Sequence, residues 1–234
     1  MTLDEKNTLI GLCIGDGCVR EHRNGTSRTL YGEFTLKHST KQLEYSNWKK
    51  RLLASILKCK EPETQIYIAK GRGNYPQGTP QKDVPVCAFS KGHPYFRIIR
   101  RALYPGGHKT FTRQILNRLN LLGLMMWYLD DGHLAVHFLN GKIRTYRLYI
   151  TIGRPIDEVK TIIKYLKEVW DMDFSFGKHG DNCFRISVGK KNAQKFIDQI
   201  KPIIEKEIPS MLYKVSPNDN PRVRRILKLD ESPT

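Results

Sequence analysis

Residues 9–17 read LIGLCIGDG and residues 124–132 read LMMWYLDDG, each an apolar helical run that ends in Asp-Gly. The two copies begin 115 positions apart, close to half of the 234-residue chain. A repeat at that period constrains the fold strongly, because the elements after one copy should recur in the same order after the other.

They do recur in the sequence pattern. After Gly17 comes a basic, turn-rich stretch holding Arg20, Arg23, Asn24-Gly25 and Arg28. An alternating strand follows, with Phe34 and Leu36 on one face and Glu33, Thr35 and Lys37 on the other. A helix is expected over 40–58, strands over 65–70 and 84–89, and a closing helix over 93–104. After Gly132 there is a hairpin signal at Asn140-Gly141 and a strand at 143–152. A helix is expected at 156–170, where apolar residues recur every three and four positions, then strands at 173–176 and 183–188 and a helix at 192–205. The reading is a tandem αββαββα repeat of the α+β class, halves 1–107 and 108–234, each an antiparallel four-stranded sheet with helices on one face.

The repeated helix ends point to chemistry. A carboxylate in the last turn of a helix, as at Asp16 and Asp131, faces the negative end of the dipole and needs a cation. Gly11 and Gly15 make one face of the first helix smooth, so that a second helix can approach and bring both carboxylates to one end of the interface. Converging hard oxygens suit Mg²⁺, and Mn²⁺ is expected to substitute.

The partner is indicated by charge. Forty Lys and Arg stand against 23 Asp and Glu, a net charge of +17, and a polyanion relieves that self-repulsion. Nucleic acid is the expected polyanion, since no basic amphipathic helix or lipidation signal favours a membrane. The longest apolar run, 121–129, is too short to cross a bilayer, and no hydrophobic signal segment follows Met1. An intracellular location is expected: cytoplasm, nucleoid or organelle interior. The five cysteines are scattered without a CxxC pair, so reduced thiols are expected rather than zinc ligands. His133 and His137 have the four-residue spacing of a helical metal pair, but fall in an alternating segment.

Both motif segments resemble the LAGLIDADG motif of homing endonucleases, and two copies in one chain resemble the single-chain, monomeric class. The resemblance implies that the motif helices pair at a pseudo-twofold interface, with the last acid of each motif, Asp16 and Asp131, binding catalytic metal. It implies that the carbonyls of Gly15 and Asp130 join the coordination, the Asp130 carboxylate being supporting. Lys109 ahead of the second motif, and Lys214 in the closing segment IPSMLYK, fall where relatives carry a basic residue near the active site. His38 falls near a polar residue that positions water in relatives, with Gly153 or Arg154 as its counterpart. The second motif departs from the pattern at Met126, Trp127 and Tyr128, so a less regular helix interface is expected.

Two such sheets side by side would form a saddle for double-stranded DNA, and alternation nominates the outward side chains. In the first half these are Arg20, Arg28, Tyr31, Thr35 and Lys37, with Lys70 and Arg72 near a hairpin tip. In the second they are Arg144, Arg147, Tyr149, Thr151, Lys178 and Arg185, while Leu148, Ile150 and Ile152 form the core face. The expected activity is a Mg²⁺-dependent double-strand break in a long, non-palindromic target. The alternative is an intron maturase that binds RNA on the same scaffold, but RNA binding alone has no need of Asp16 and Asp131. A regulator without catalysis would be expected to have lost those acids. The first motif begins within ten residues of Met1, which argues against an intein.

Overall fold

The computed structural model describes residues 1–23, 30–71, 82–180 and 183–227. It forms two compact units, Asp16–Arg100 and, together, Thr2–Gly15 with Arg101–Thr234.

The first unit is built on one antiparallel sheet. Its strands are β1 (Cys18–Arg23), β2 (Leu30–Ser39), β3 (Gln65–Ala69) and β4 (Val84–His93), in the order β1-β2-β4-β3. The start of the basic stretch after the first motif, Cys18–Arg23, is therefore a strand, with Val19 paired to Phe34 and Arg20 to Glu33, while Asn24-Gly25 and Arg28 lie outside the described residues. With one strongly apolar side chain in six residues, β1 gives little alternation signal, and its ladder with β2 supplies the order instead. A single 3₁₀ turn at Thr40–Gln42 leads into α2 (Leu43–Leu57), which buries Tyr45, Trp48, Leu53 and Ile56. Phe34, Leu36 and Phe89 are buried from the sheet, and Phe34 stacks on Phe96 of α3 (Pro94–Leu103).

In the second unit, α1 (Leu3–Ile14) packs on α5 (Leu121–Asp131). Thr2 and Glu5 form a capping box at the start of α1. Asn120 caps α5 by accepting from the Gly123 N–H at 2.8 Å, and its amide donates to Asp4 at 2.7 Å and Thr8 at 2.9 Å, tying the two helix starts together. Further along, a Cβ on Gly11 would lie 2.2 Å from the Cα of Gly123. The small residue opposite Gly11 is thus Gly123, which lies just ahead of the second motif. Met126, although it holds the equivalent motif position, contributes only its terminal methyl near Gly11.

The short helix α4 (Arg113–Leu116) precedes α5, and a second antiparallel sheet follows it. This sheet comprises β5 (Gly132–Leu139), β6 (Lys142–Ile152), β7 (Ser175–Gly180) and β8 (Cys183–Gly189), ordered β5-β6-β8-β7. The same strand order thus occurs twice. β5 and β6 meet at Asn140-Gly141, both at positive φ, as a two-residue hairpin requires. Leu148, Ile150 and Ile152 are buried as their alternation predicts. They lie beneath α6 (Ile156–Trp170) and α7 (Lys190–Glu207), which bury Val159, Ile162 and Leu166, and Phe196 and Ile200. A 3₁₀ segment (Pro209–Lys214) and α8 (Pro221–Ile226) complete the described chain. All five cysteines are thiols. Among the described residues, no helix is long and apolar enough to cross a membrane.

Candidate metal centre and sheet faces

Neither motif helix carries a basic residue in its last turn. The C-terminal carbonyls and the dipole of each helix must therefore find their cation elsewhere. Lys109 supplies it to α1, its Nζ donating to the carbonyls of Ile14 at 3.0 Å and Gly15 at 2.6 Å. Lys214 supplies it to α5, donating to the carbonyls of Leu129 and, at 3.4 Å, Asp130. The two lysines nominated from the sequence thus occupy matching places, one on each motif helix end. Lys214 is buried, and the Tyr128 hydroxyl donates to its backbone carbonyl at 2.5 Å. Burial, then the neighbouring Tyr213, pushes the Tyr128 phenol far above its ordinary range, so that it remains a donor.

Replacing Lys214 with Met is expected to leave its carbonyl partners short of a donor, at about 2 kcal/mol. Thermal unfolding should show a loss of roughly 4–8 °C. The same change at Lys109, which is only half-buried, should cost less. Equal and negligible losses would show that the lysines do not hold the helix ends.

Around Gly15 the packing is tight: a Cβ there would lie 2.1 Å from the Asp130 Oδ2. The Asp131 Oδ2 accepts from the indole N–H of Trp127 at 3.1 Å. Asp131 lines a cavity of about 190 Å³ with Gly15, Lys109, Phe111, Trp127, Thr151, Gly153 and Arg154. The two counterparts nominated for His38 therefore both line it. Gly153 offers no side chain, and Arg154 is paired with Glu158 at 3.2 Å.

In the first unit, His38 is buried at the end of β2, its Nδ1 3.3 Å from the Asp16 Oδ2. Its Nε2 lies 3.4 Å from the Nζ of Lys49. Lys49 is fully buried, with its ammonium 4.3 Å from the centre of the Tyr45 ring, and sequence reasoning missed it. The signal was present: Tyr45, Lys49 and Leu53 recur at four-residue steps along one stripe of α2.

Among the nominated DNA-facing residues, Arg20, Tyr31, Thr35 and Lys37 share the face of the first sheet turned from its core, by the pairing of Arg20 with Glu33 and the alternation along β2. Thr35 and Lys37 line a groove of about 600 Å³ with Gln65, Tyr67 and Ser90, residues the sequence reading passed over. Lys37 lies over the Tyr67 ring, 5.7 Å from its centre. Lys70 is exposed just beyond β3, while Arg28 and Arg72 fall outside the described residues.

In the second sheet, Arg147, Tyr149, Thr151 and Arg185 lie on the outward face, Thr151 paired with Arg185. The Arg185 guanidinium is 5.7 Å from the centre of the Tyr149 ring. Arg144 joins them by a different route. The β5–β6 register shifts between His137 and Phe138, Arg144 is left out of the ladder, and it lines a groove with Arg147. Lys178 pairs with Phe184, which pairs with Ile152, so it stands on the opposite face of the sheet from Arg185 and not with the other nominated residues. His133 stacks on Tyr149, ring centres 5.0 Å apart, and belongs to this face as well. Burial, and then the charges of Arg185, Lys214 and His179, hold its imidazole below the ordinary range.

Known proteins are similar to this chain in architecture and in sequence. The structure resembles the homing endonuclease I-WcaI bound to its DNA recognition sequence, with a TM-score of 0.65, 20% identity, and coverage of 92% of this chain and 86% of that one. It also resembles the LAGLIDADG meganuclease I-AabMI bound to uncleaved DNA, with a TM-score of 0.51, 10% identity, and coverage of 95% and 98%. At these identities the likeness establishes the fold. In sequence, the chain is 28% identical over 221 residues to Protein RecA of Mycobacterium shimoidei, covering 89% of this chain and 45% of that protein. It is 27% identical over 221 residues to Protein RecA of Mycolicibacterium flavescens, with the same coverage. The chain spans about half the length of the curated relatives it matches, and the rest of each RecA sequence lies outside the match. The model of the LAGLIDADG DNA endonuclease family matches residues 6–196, most of the chain and both motifs. The chain belongs to the LAGLIDADG DNA endonuclease family.

Proposed function

We propose that this protein is a site-specific homing endonuclease that makes Mg²⁺-dependent double-strand breaks in a long, non-palindromic DNA target. The observation that carries the reading is the matched pair of helix ends. Each motif helix presents an aspartate where its dipole disfavours negative charge, and each has a lysine ammonium on its last carbonyls. A fold with no need of a cation or a phosphate there would gain by losing those acids.

The donor set fits a divalent metal. Asp16 with the carbonyl of Gly15, and Asp131 with the carbonyl of Asp130, would each offer it hard oxygens of the kind Mg²⁺ and Mn²⁺ accept. Each carbonyl has a second lone pair beyond the one facing its lysine. Bound metal supplies an activated water and stabilises the leaving oxygen of a phosphodiester. The residues of the chain do the rest. Lys109 and Lys214 neutralise charge beside the scissile phosphate, and His38 orients the Asp16 carboxylate and water near it. Arg20, Tyr31, Thr35 and Lys37 meet one half of the target, and Arg144, Arg147, Tyr149, Thr151 and Arg185 the other. Because the halves differ in sequence, the target halves differ as well.

A duplex made by joining the two sequences that flank the coding region is the target to test. With Mg²⁺ it should be cut in both strands at one site, and EDTA should stop the reaction. Binding should weaken steeply with added salt. A duplex bound at that site but left intact at every Mg²⁺ concentration would contradict the nuclease reading and favour the RNA-binding one.

A further inference from the structure

The two motif aspartates are held by different donors from different elements. Asp16 faces the imidazole Nδ1 of His38, which comes from β2. Asp131 faces the indole N–H of Trp127, which comes from its own helix one turn earlier. Four residues before Asp16 the first motif has Leu12, which has no polar hydrogen to give. Conversely, Gly153, a nominated counterpart of His38, has no side chain to reach Asp131. Each acid thus faces a nitrogen donor that comes from a different place in its half, His38 on β2 for Asp16 and Trp127 on α5 for Asp131.

We infer that Trp127 is a positioning residue for Asp131: its indole N–H fixes one carboxylate oxygen and with it the orientation in which the carboxylate meets the metal. The inference rests on the endonuclease reading given above. The bulk of Trp127, a departure from the motif pattern, serves this purpose. The ring is fully buried and stacks on Phe111, with centres 5.3 Å apart and planes 22° from parallel. Phe111 is fixed in turn by its backbone N–H, which donates to Glu158 at 2.8 Å, and Glu158 is paired with Arg154. A ring clamped in this way has little freedom, so its N–H stays on Asp131. An outer partner of this kind sets the orientation and basicity of a metal-binding group.

The consequence is a functional inequality between the half-sites. Trp127→Phe keeps an aromatic ring against Phe111 but removes the donor. It should slow the cut that depends on Asp131 by roughly 10–100-fold. The cut that depends on Asp16 should keep its rate, so a duplex nicked in one defined strand accumulates. DNA affinity should stay as it is in the unaltered protein, while the smaller buried ring should lower the melting temperature by roughly 2–8 °C.

A second measurement needs neither cleavage nor a substitution in the core. The chain has three tryptophans, Trp48, Trp127 and Trp170, and therefore three indole N–H signals in a ¹⁵N-tryptophan spectrum. Adding Mg²⁺ to the unaltered protein should move one of them. Asp131→Asn should move the same signal and remove its response to Mg²⁺, leaving the other two in place. If no indole signal responds to either change, or if Trp127→Phe slows both strands equally or neither, the positioning role is overturned. If the unaltered protein cuts no duplex while one indole signal still follows Asp131, the endonuclease reading fails and the Trp127–Asp131 contact stands.

Discussion

Asp131→Asn is expected to bind the target duplex with native affinity and to cut it roughly a thousandfold more slowly. Asparagine keeps the shape of the side chain and an oxygen that can still accept from the Trp127 indole N–H, so the local packing survives. What it removes is the charge that would hold the metal. A metal clamp supplies several kcal/mol to a phosphoryl displacement, and losing about 4 kcal/mol is roughly a thousandfold in rate. Stability should move the other way or not at all. An aspartate at the C-terminal end of α5 opposes the helix dipole, so neutralising it should leave the melting temperature equal or slightly higher. Cleavage lost at undiminished stability is the signature of an acid kept for chemistry. Single-turnover rates and a thermal melt on the same preparation read both quantities. A variant that cut at the native rate would remove Asp131 from the site.

Gly11→Val should be the most damaging substitution in the helix pair. A Cβ at this position would lie 2.2 Å from the Cα of Gly123, a backbone atom that cannot rotate away. The helices would have to separate, pulling Leu9, Leu12 and Cys13, all fully buried, out of register with α5. Overpacking of a well-filled core costs about 1–3 kcal/mol, and a clash with backbone belongs at the upper end. A fall of roughly 6–12 °C in the melting temperature is expected, with loss of cleavage in step, since the ends of α1 and α5 would part. Gly123→Ala tests the reverse direction. Its Cβ would meet flexible neighbours at 3.1 and 3.2 Å as well as the Gly11 Cα at 3.2 Å, so the loss should be smaller. A Gly11→Val protein that melts and cuts like the native one would show that close approach here is dispensable.

Much of this was legible before any coordinates, and the limits have physical causes. Strong periodicity located the helix at about 156–170, because Val159, Ile162 and Leu166 recur at three- and four-residue steps on its buried stripe. β1 was hidden because its residues are mostly polar, and a strand of that kind is defined by its partner. The register shift beside Arg144 was likewise invisible, since a β-bulge is a property of two strands and appears in neither alone. Within the candidate site, the acids could be nominated from their repetition and the lysines from family resemblance. The lysines' attachment to helix carbonyls, over 94 and 85 residues of chain, could not. Lys49 was missed because a lysine in a helix is read as solvated, yet this one sits on the buried stripe. Trp127 was read as a departure from the motif pattern. Its 3.1 Å contact with Asp131 appears only in the fold.

The central proposal is that Asp16 and Asp131 are both acids of a metal-dependent cleavage reaction. The most direct test is the joined-flank duplex, labelled separately at each strand end and incubated with Mg²⁺ and either the native protein or the Asp16→Asn/Asp131→Asn double variant. The native protein should cut both strands, and the double variant should bind equally well and cut neither. Full-rate cleavage by the double variant would contradict the account.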